Sequence, residues 1–203
     1  MQKAIWCGVR LAAFTLVVLG SVASAQEIVR IRGAIESSDG PIYVVKSRDG
    51  NELKVSLADK PQIAGVVKAS LSDIKQGSFV GVAAMPQADG SQTALEVLIF
   101  PEAMRGTGEG HYPWDLKPKS TMTNANVEQI GAVVDGRTLI LKYKDGEKKI
   151  FVPADAPIVT FVPGDKSDLK LGAKVFVVAA KHPDGMLEGR AWRVGRDGLT
   201  PPM

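Results

Sequence analysis

The sequence predicts an all-β protein made of two small five-stranded barrels in tandem, and three observations lead there. Asp-Gly pairs recur along the chain, and Gly accepts the positive φ that tight hairpins demand. Between these pairs stand short β-branched runs in which apolar and polar residues alternate, giving each strand one buried face. The same series of turns also occurs twice. Gly33-Ala34, Asp39-Gly40, Asp49-Gly50, Ala58-Asp59 and Pro61 line up with Gly131-Ala132, Asp135-Gly136, Asp145-Gly146, Ala154-Asp155 and Pro157. Ser72-Asp73-Ile74-Lys75, Gly77 and Asp89-Gly90 line up with Ser167-Asp168-Leu169-Lys170, Gly172 and Asp184-Gly185. The offset drifts by only a few residues, so the gaps fall between elements. The expected division is a leader at 1–25, one barrel at 26–100, a connecting segment at 101–126 and a second barrel at 127–203. Units of about 70 residues lie near the small end of self-sufficient folding.

The leader is read first. Lys3 and Arg10 make a positive start, and residues 11–19 form an apolar run. That run is short of the roughly 20 residues that span a bilayer. Gly20 breaks it, and Ala23-Ser24-Ala25 supplies the small residues of a cleavage site. The pattern predicts a secretory signal cut after Ala25 and a periplasmic or secreted protein. No transmembrane segment is expected in the mature chain. Cys7, the one cysteine, lies in the leader, so no mature disulfide, thiolate or Cys-ligated metal site is expected. The formal net charge is +3, and the leader holds two basic residues and no acid. The remainder is nearly neutral, which argues against a polyanion binder.

In the first copy, Val29, Ile31 and Gly33 alternate with Arg30 and Arg32, residues 41–45 form a β-branched run, and Leu53, Val55 and Leu57 alternate with Lys54 and Ser56. Residues 61–76 carry Ile63, Val66, Val67, Leu71 and Ile74. They predict a short helix, or an apolar loop, between strands 3 and 4 that plugs an open barrel end. Val80, Val82 and Ala84 mark the fourth strand, and residues 94–100 the fifth. The second copy places strands at 127–134, 138–143, 148–152, 173–180 and 189–194. Ser72 and Ser167 are expected to cap a helical turn that Gly77 and Gly172 end in left-handed conformation. Five strands with an insertion after the third is the element order of an OB-fold. The string Gly33-Ala34-Ile35, Asp39-Gly40, Ser47-Arg48-Asp49-Gly50 with Val55, Asp73-Ile74-Lys75 with Gly77 and Val80, and Asp89-Gly90 with Ala94 resembles a family of bacterial extracytoplasmic OB-like domains of unknown function, often in tandem. The resemblance covers each copy and implies fold and compartment. Its motifs are turns, caps and core positions, so it implies little chemistry. The second copy departs by lacking two residues between its first two strands.

Residues 101–126 match neither copy, and His111-Tyr112-Pro113-Trp114-Asp115 is too aromatic for a passive linker. The expectation is that Tyr112 and Trp114 fill the cleft between the barrels while Pro113 fixes the chain. Arg105, His111, Tyr112 and Trp114 are the candidate residues for an envelope protein, glycan or small ligand. Glu109, His111 and Asp115, with Glu102 nearby, are the alternative as ligands of a loose divalent-metal site. Gly106, Gly108 and Gly110 lack the spacing and following residues of a phosphate loop.

Other candidates are weaker. His182 sits in a hairpin turn, and Trp192 reads as core. Lys142, Lys144, Lys148 and Lys149 are interleaved with Asp145 and Glu147. Nucleic-acid binding needs a basic groove with stacking aromatics, which Tyr43, Tyr143 and Phe151 do not supply. G-x-S-x-G and H-E-x-x-H are absent, and the two S-x-x-K strings are explained as caps. The expected protein is therefore an exported, non-catalytic binding or scaffolding protein without a cofactor. The alternative is a metal-handling protein that uses His111 and its neighbouring carboxylates.

Overall fold

Alternating apolar residues and turn glycines produce twelve strands, and the strands pair across the two copies. The computed structural model describes residues 26–203, and the expected leader lies outside them. The strands are β1 (Glu27–Asp39), β2 (Ile42–Ser47), β3 (Glu52–Lys68), β4 (Phe79–Pro86), β5 (Gln92–Ile99), β6 (Gly110–Pro113), β7 (Thr121–Val133), β8 (Gly136–Tyr143), β9 (Gly146–Pro153), β10 (Ile158–Pro163), β11 (Lys174–Lys181) and β12 (Leu187–Gly195). No helix among the described residues is long and apolar enough to cross a membrane.

The pairings close two five-stranded rings. β1, β2 and β3 are sequential antiparallel neighbours, β1 also pairs β11, β11 pairs β12, and β12 closes the ring parallel to β3. In the other ring, β7, β8 and β9 follow one another, β7 pairs β4, β4 pairs β5, and β5 closes parallel to β9. Each ring thus takes three strands from one half of the chain and two from the other. The division into one barrel at 26–100 and another at 127–203 is not how these strands pair.

The reason lies in residues 61–76. The expected short helix or apolar loop there gives way to strand as far as Lys68, because Ile63, Val66 and Val67 continue β3. At about 3.3 Å per residue, the 17 residues of β3 reach roughly 55 Å, more than one small barrel can use. Its far end pairs antiparallel with β10, with Val66 opposite Phe161. Both connections therefore cross from ring to ring side by side. Residues 58–61 of β3 leave the ladder where its register on β12 jumps from Leu57 to Gln62, which gives Pro61 a place without a donor.

After the crossing, each connection makes one 3₁₀ turn, Leu71–Asp73 and Lys166–Asp168. The caps are Ser70 and Asp165, not Ser72 and Ser167. The Asp73 carboxylate accepts from the Ser70 backbone N–H, and Asp168 accepts from that of Asp165. Hydrogen bonds from Ser70 hold the Asp73 carboxyl below its ordinary range. Gly77 and Gly172 have φ of +81° and +79°, as a left-handed end requires. Ile74 then plugs the core built by Val82, Val97, Leu139 and Ile150. Leu169 plugs the core built by Ile31, Val45, Val177 and Trp192.

Trp192 is fully buried, and its Nε1–H donates to the Gly189 carbonyl at 3.0 Å. The close approach depends on Gly189, since a Cβ there stands 2.6–2.7 Å from the indole. Gly189→Ala is expected to cost about 1–3 kcal/mol by overpacking. A urea midpoint equal to that of the parent protein would rule this out.

Candidate functional site

Between the two rings lies a third apolar cluster, built from Val66, Leu98, Val159, Phe161, Phe176 and Met203. Phe100, Met104 and Trp114 pack on it from the connecting segment and its approach. The segment's first strand, β6, adds to the edge of β7, with His111 opposite Thr123 and Tyr112 opposite Met122. Alternation then sends Tyr112 and His111 to opposite faces. The Trp114 ring lies 6.2 Å from that of Tyr112 and 6.5 Å from that of Phe176 on β11.

This arrangement leaves a cavity of about 170 Å³. Its walls include Glu96, Leu98, Phe100, Tyr112, Trp114, Met122, Asn124, Phe161, Phe176 and Arg193. Gly81 lines it as well, and a Cβ there stands 2.6 Å from the Asn124 side-chain oxygen and 3.0 Å from Phe100. β4 therefore crosses between Leu98 on β5 and Asn124 on β7 without a side chain in the way.

Three polar atoms on these walls are buried and unpartnered: Glu96 Oε2, Trp114 Nε1 and Asn124 Oδ1. Burial without a partner costs roughly 1–3 kcal/mol for a neutral group, and more for a charge. The Asn124 oxygen is fixed as such, because Nδ2 donates to the Thr107 carbonyl and to Tyr112 Oη. Glu96 is 2% exposed. Burial pushes its carboxyl up to about 8, against the pull of Arg32 and Arg48 in the opposite direction. Burial also raises the Tyr112 phenol.

Arg193 lines the cavity, and Arg30 and Arg32 stand over two of its aromatic rings. The guanidinium of Arg30 stands 4.3 Å from the Trp114 ring centre, and that of Arg32 stands 5.1 Å from the Phe176 ring centre. Arg193 lies 4.9 Å from the Phe161 ring centre while its Nη1 donates to the Gln62 carbonyl. Arg32 Nε and Arg48 Nη2 donate to the backbone oxygens of Met203 and Pro201, which holds residues 201–203 against the cleft.

The sequence candidates divide into two groups. Tyr112 and Trp114 line the cavity. Arg105, His111, Glu109 and Asp115 fasten the segment to the rings. Arg105 pairs with Glu102 and donates to Asn126 and to the Gly77 carbonyl. His111 Nδ1 meets Thr123 Oγ1 at 2.8 Å, and burial and Lys148 lower its pKa. Glu109 accepts from the Lys144 backbone N–H, while Asp115 pairs with Arg32 at 2.6 Å and Arg30 at 3.6 Å. The side chains of Glu109, His111 and Asp115, the candidate metal ligands, are each drawn to a different element. Among the described residues no three His, Cys, Asp or Glu side chains cluster as metal ligands.

Glu96 and Asn124 were not singled out by sequence. For Glu96 a signal existed: it is the one acid within the apolar run of residues 94–100. No family model, curated protein or solved structure matches this chain.

Proposed function

We propose that this protein is an exported, non-catalytic binding protein whose site is the cavity between the rings. One observation carries the reading: Glu96, Trp114 and Asn124, each with a buried unpartnered side-chain atom, line a single aromatic-walled space. An apolar pocket with a few convergent polar groups is the usual form of a small-molecule site. The size supports one ring or a short chain, since an engineered apolar cavity of about 150 Å³ takes up benzene. The leader pattern at 1–25 supports export, and the doubled turn series supports two copies of an OB-like unit that have exchanged strands. The parallel closure of β12 on β3 and of β5 on β9 fits that unit. Ring exchange also explains why the site needs both halves: Glu96 comes from β5, Phe176 from β11 and Trp114 from the segment between them.

Trp114 and Trp192, the two tryptophans among the described residues, give the test. In 15N-labelled protein the indole N–H of Trp114 is free, whereas that of Trp192 is bonded to Gly189. Titration with phenol, a one-ring probe, is expected to move the Trp114 indole resonance and leave that of Trp192 in place. Trp114→Phe and Trp192→Phe assign the two signals. A Trp114 signal that stays still with phenol ends the ligand reading and leaves the cleft as packing alone.

A further inference from the structure

We infer that residues 199–203 form a strap over the cleft, clasped by Arg32 and Arg48, and that release of the strap opens the cavity to its ligand. This rests on the proposed binding function and names how access to the same site is controlled. The strap begins where β12 ends. Arg196 N–H donates to the Val66 carbonyl, the last backbone bond that ties this part of the chain to a strand. Asp197 and Gly198 follow with φ of +51° and +76°, and the Leu199 N–H closes the turn on the Arg196 carbonyl. The chain folds back so closely that a Cβ on Gly195 would collide with the Leu199 carbonyl.

Beyond that turn the hold is slight. Residues 199–203 belong to no strand, and Pro201 and Pro202 have no N–H to give to one. Two guanidiniums hold them instead. Arg32 Nε donates to the Met203 carbonyl at 2.6 Å, and Arg48 Nη2 donates to the Pro201 carbonyl at 2.9 Å. A segment fixed by a few side-chain bonds opens locally at far lower cost than the paired strands of a core.

The strap covers the cavity. Pro201 and Met203 are buried, while Thr200 between the turn and Pro201 is exposed. Met203 belongs to the apolar cluster of Phe161 and Phe176 and is one of the cavity's walls. Arg32 ties this wall to the opposite one, since its Nη2 donates to Asp115, the residue after Trp114. Lifting the strap therefore removes one wall of the space that Trp114 also lines, and it breaks no strand pairing.

The experiment reads opening without a ligand, from the exchange of indole N–H protons for deuterium in the 15N-labelled full chain. Trp114 Nε1 is buried at the cleft, and Trp192 Nε1 is buried and bonded in the first core. The variant combines Arg48→Met, which removes one clasp, with Met203→Ala, which removes the buried side chain. Its Trp114 indole is expected to exchange at least about tenfold faster than the parent's, the ratio that one lost hydrogen bond supplies. Its Trp192 indole is expected to exchange at the parent's rate. Phenol association, read from the line shape of the Trp114 resonance, is expected to quicken by a similar factor. Equal acceleration at both indoles reports a loss of global stability and overturns the strap. Unchanged Trp114 exchange overturns it as well, and so does phenol that enters variant and parent at one rate. Failure of phenol to move the parent's Trp114 signal is instead the failure of the proposed site, and indole exchange then decides the strap alone.

Discussion

Trp192→Ala is expected to lower the stability of the whole protein by about 3–5 kcal/mol, the usual cost of removing a fully buried Trp side chain. The indole sits at the centre of the first core, 5.2 Å from the Tyr43 ring, and its N–H is satisfied at Gly189. The larger consequence comes from topology. β12 belongs to the first ring, yet β10, earlier in the same half of the chain, pairs β3 of the first ring and β5 of the second. Neither ring can be dismantled without freeing strands that the other needs. A defect in the first core is therefore expected to lower one shared transition, not one of two. Calorimetry and the fluorescence of Trp114, which lies outside that core, are expected to report the same midpoint. Two separated transitions, with only the lower one moved by Trp192→Ala, would show that the rings fold independently.

Glu96→Gln is expected to stabilise the protein, and to do so more strongly as pH rises. The Glu96 carboxyl has a folded pKa of about 8 against an ordinary value of 4.5. Between these values the native state holds a proton that the unfolded state has lost. Stability from this group is fully present below pH 4.5 and is lost progressively as pH rises through 8. The loss across that window is on the order of 4 kcal/mol. Gln cannot ionise and matches the shape of the protonated acid. The variant and the parent should have nearly equal stability at pH 4.5, and the variant should be clearly more stable at pH 8. Comparing the two proteins at each pH cancels the exposed carboxylates, among them Asp73 and Asp165, whose pKa values are shifted down. Parallel urea profiles for the two proteins across the window would mean that folding does not raise the Glu96 pKa.

Local structure was largely legible in the sequence. Leu53 and Val55 alternate with Lys54 as a half-buried strand must, Val80 and Val82 share one face of a strand buried on both sides, and both strands are present. The turn glycines read correctly for the same reason, since a positive φ is a property of one residue and its neighbours. Residues 61–68 were not legible. The spacing of Ile63, Val66 and Val67 suits one face of a helix as well as an extended run, and only the ladder with β10 decides between them. His111, Glu109 and Asp115 looked like a ligand set because they are close in sequence. In the fold their side chains diverge to Thr123, Lys144 and Arg32.

The sequence by itself determined that this is a β protein, where its turns fall, and that Tyr112 and Trp114 have packing to do. These properties depend on residue period and on the backbone freedom of single residues. Only the tertiary structure decided which strands share a barrel, because an extended β3 carries the chain past its own ring and both rings offer equivalent edges. The same exchange decided the site. Glu96, Trp114 and Asn124 are scattered along the chain, and they meet because the crossing of β3 and β10 holds the two rings against one cleft.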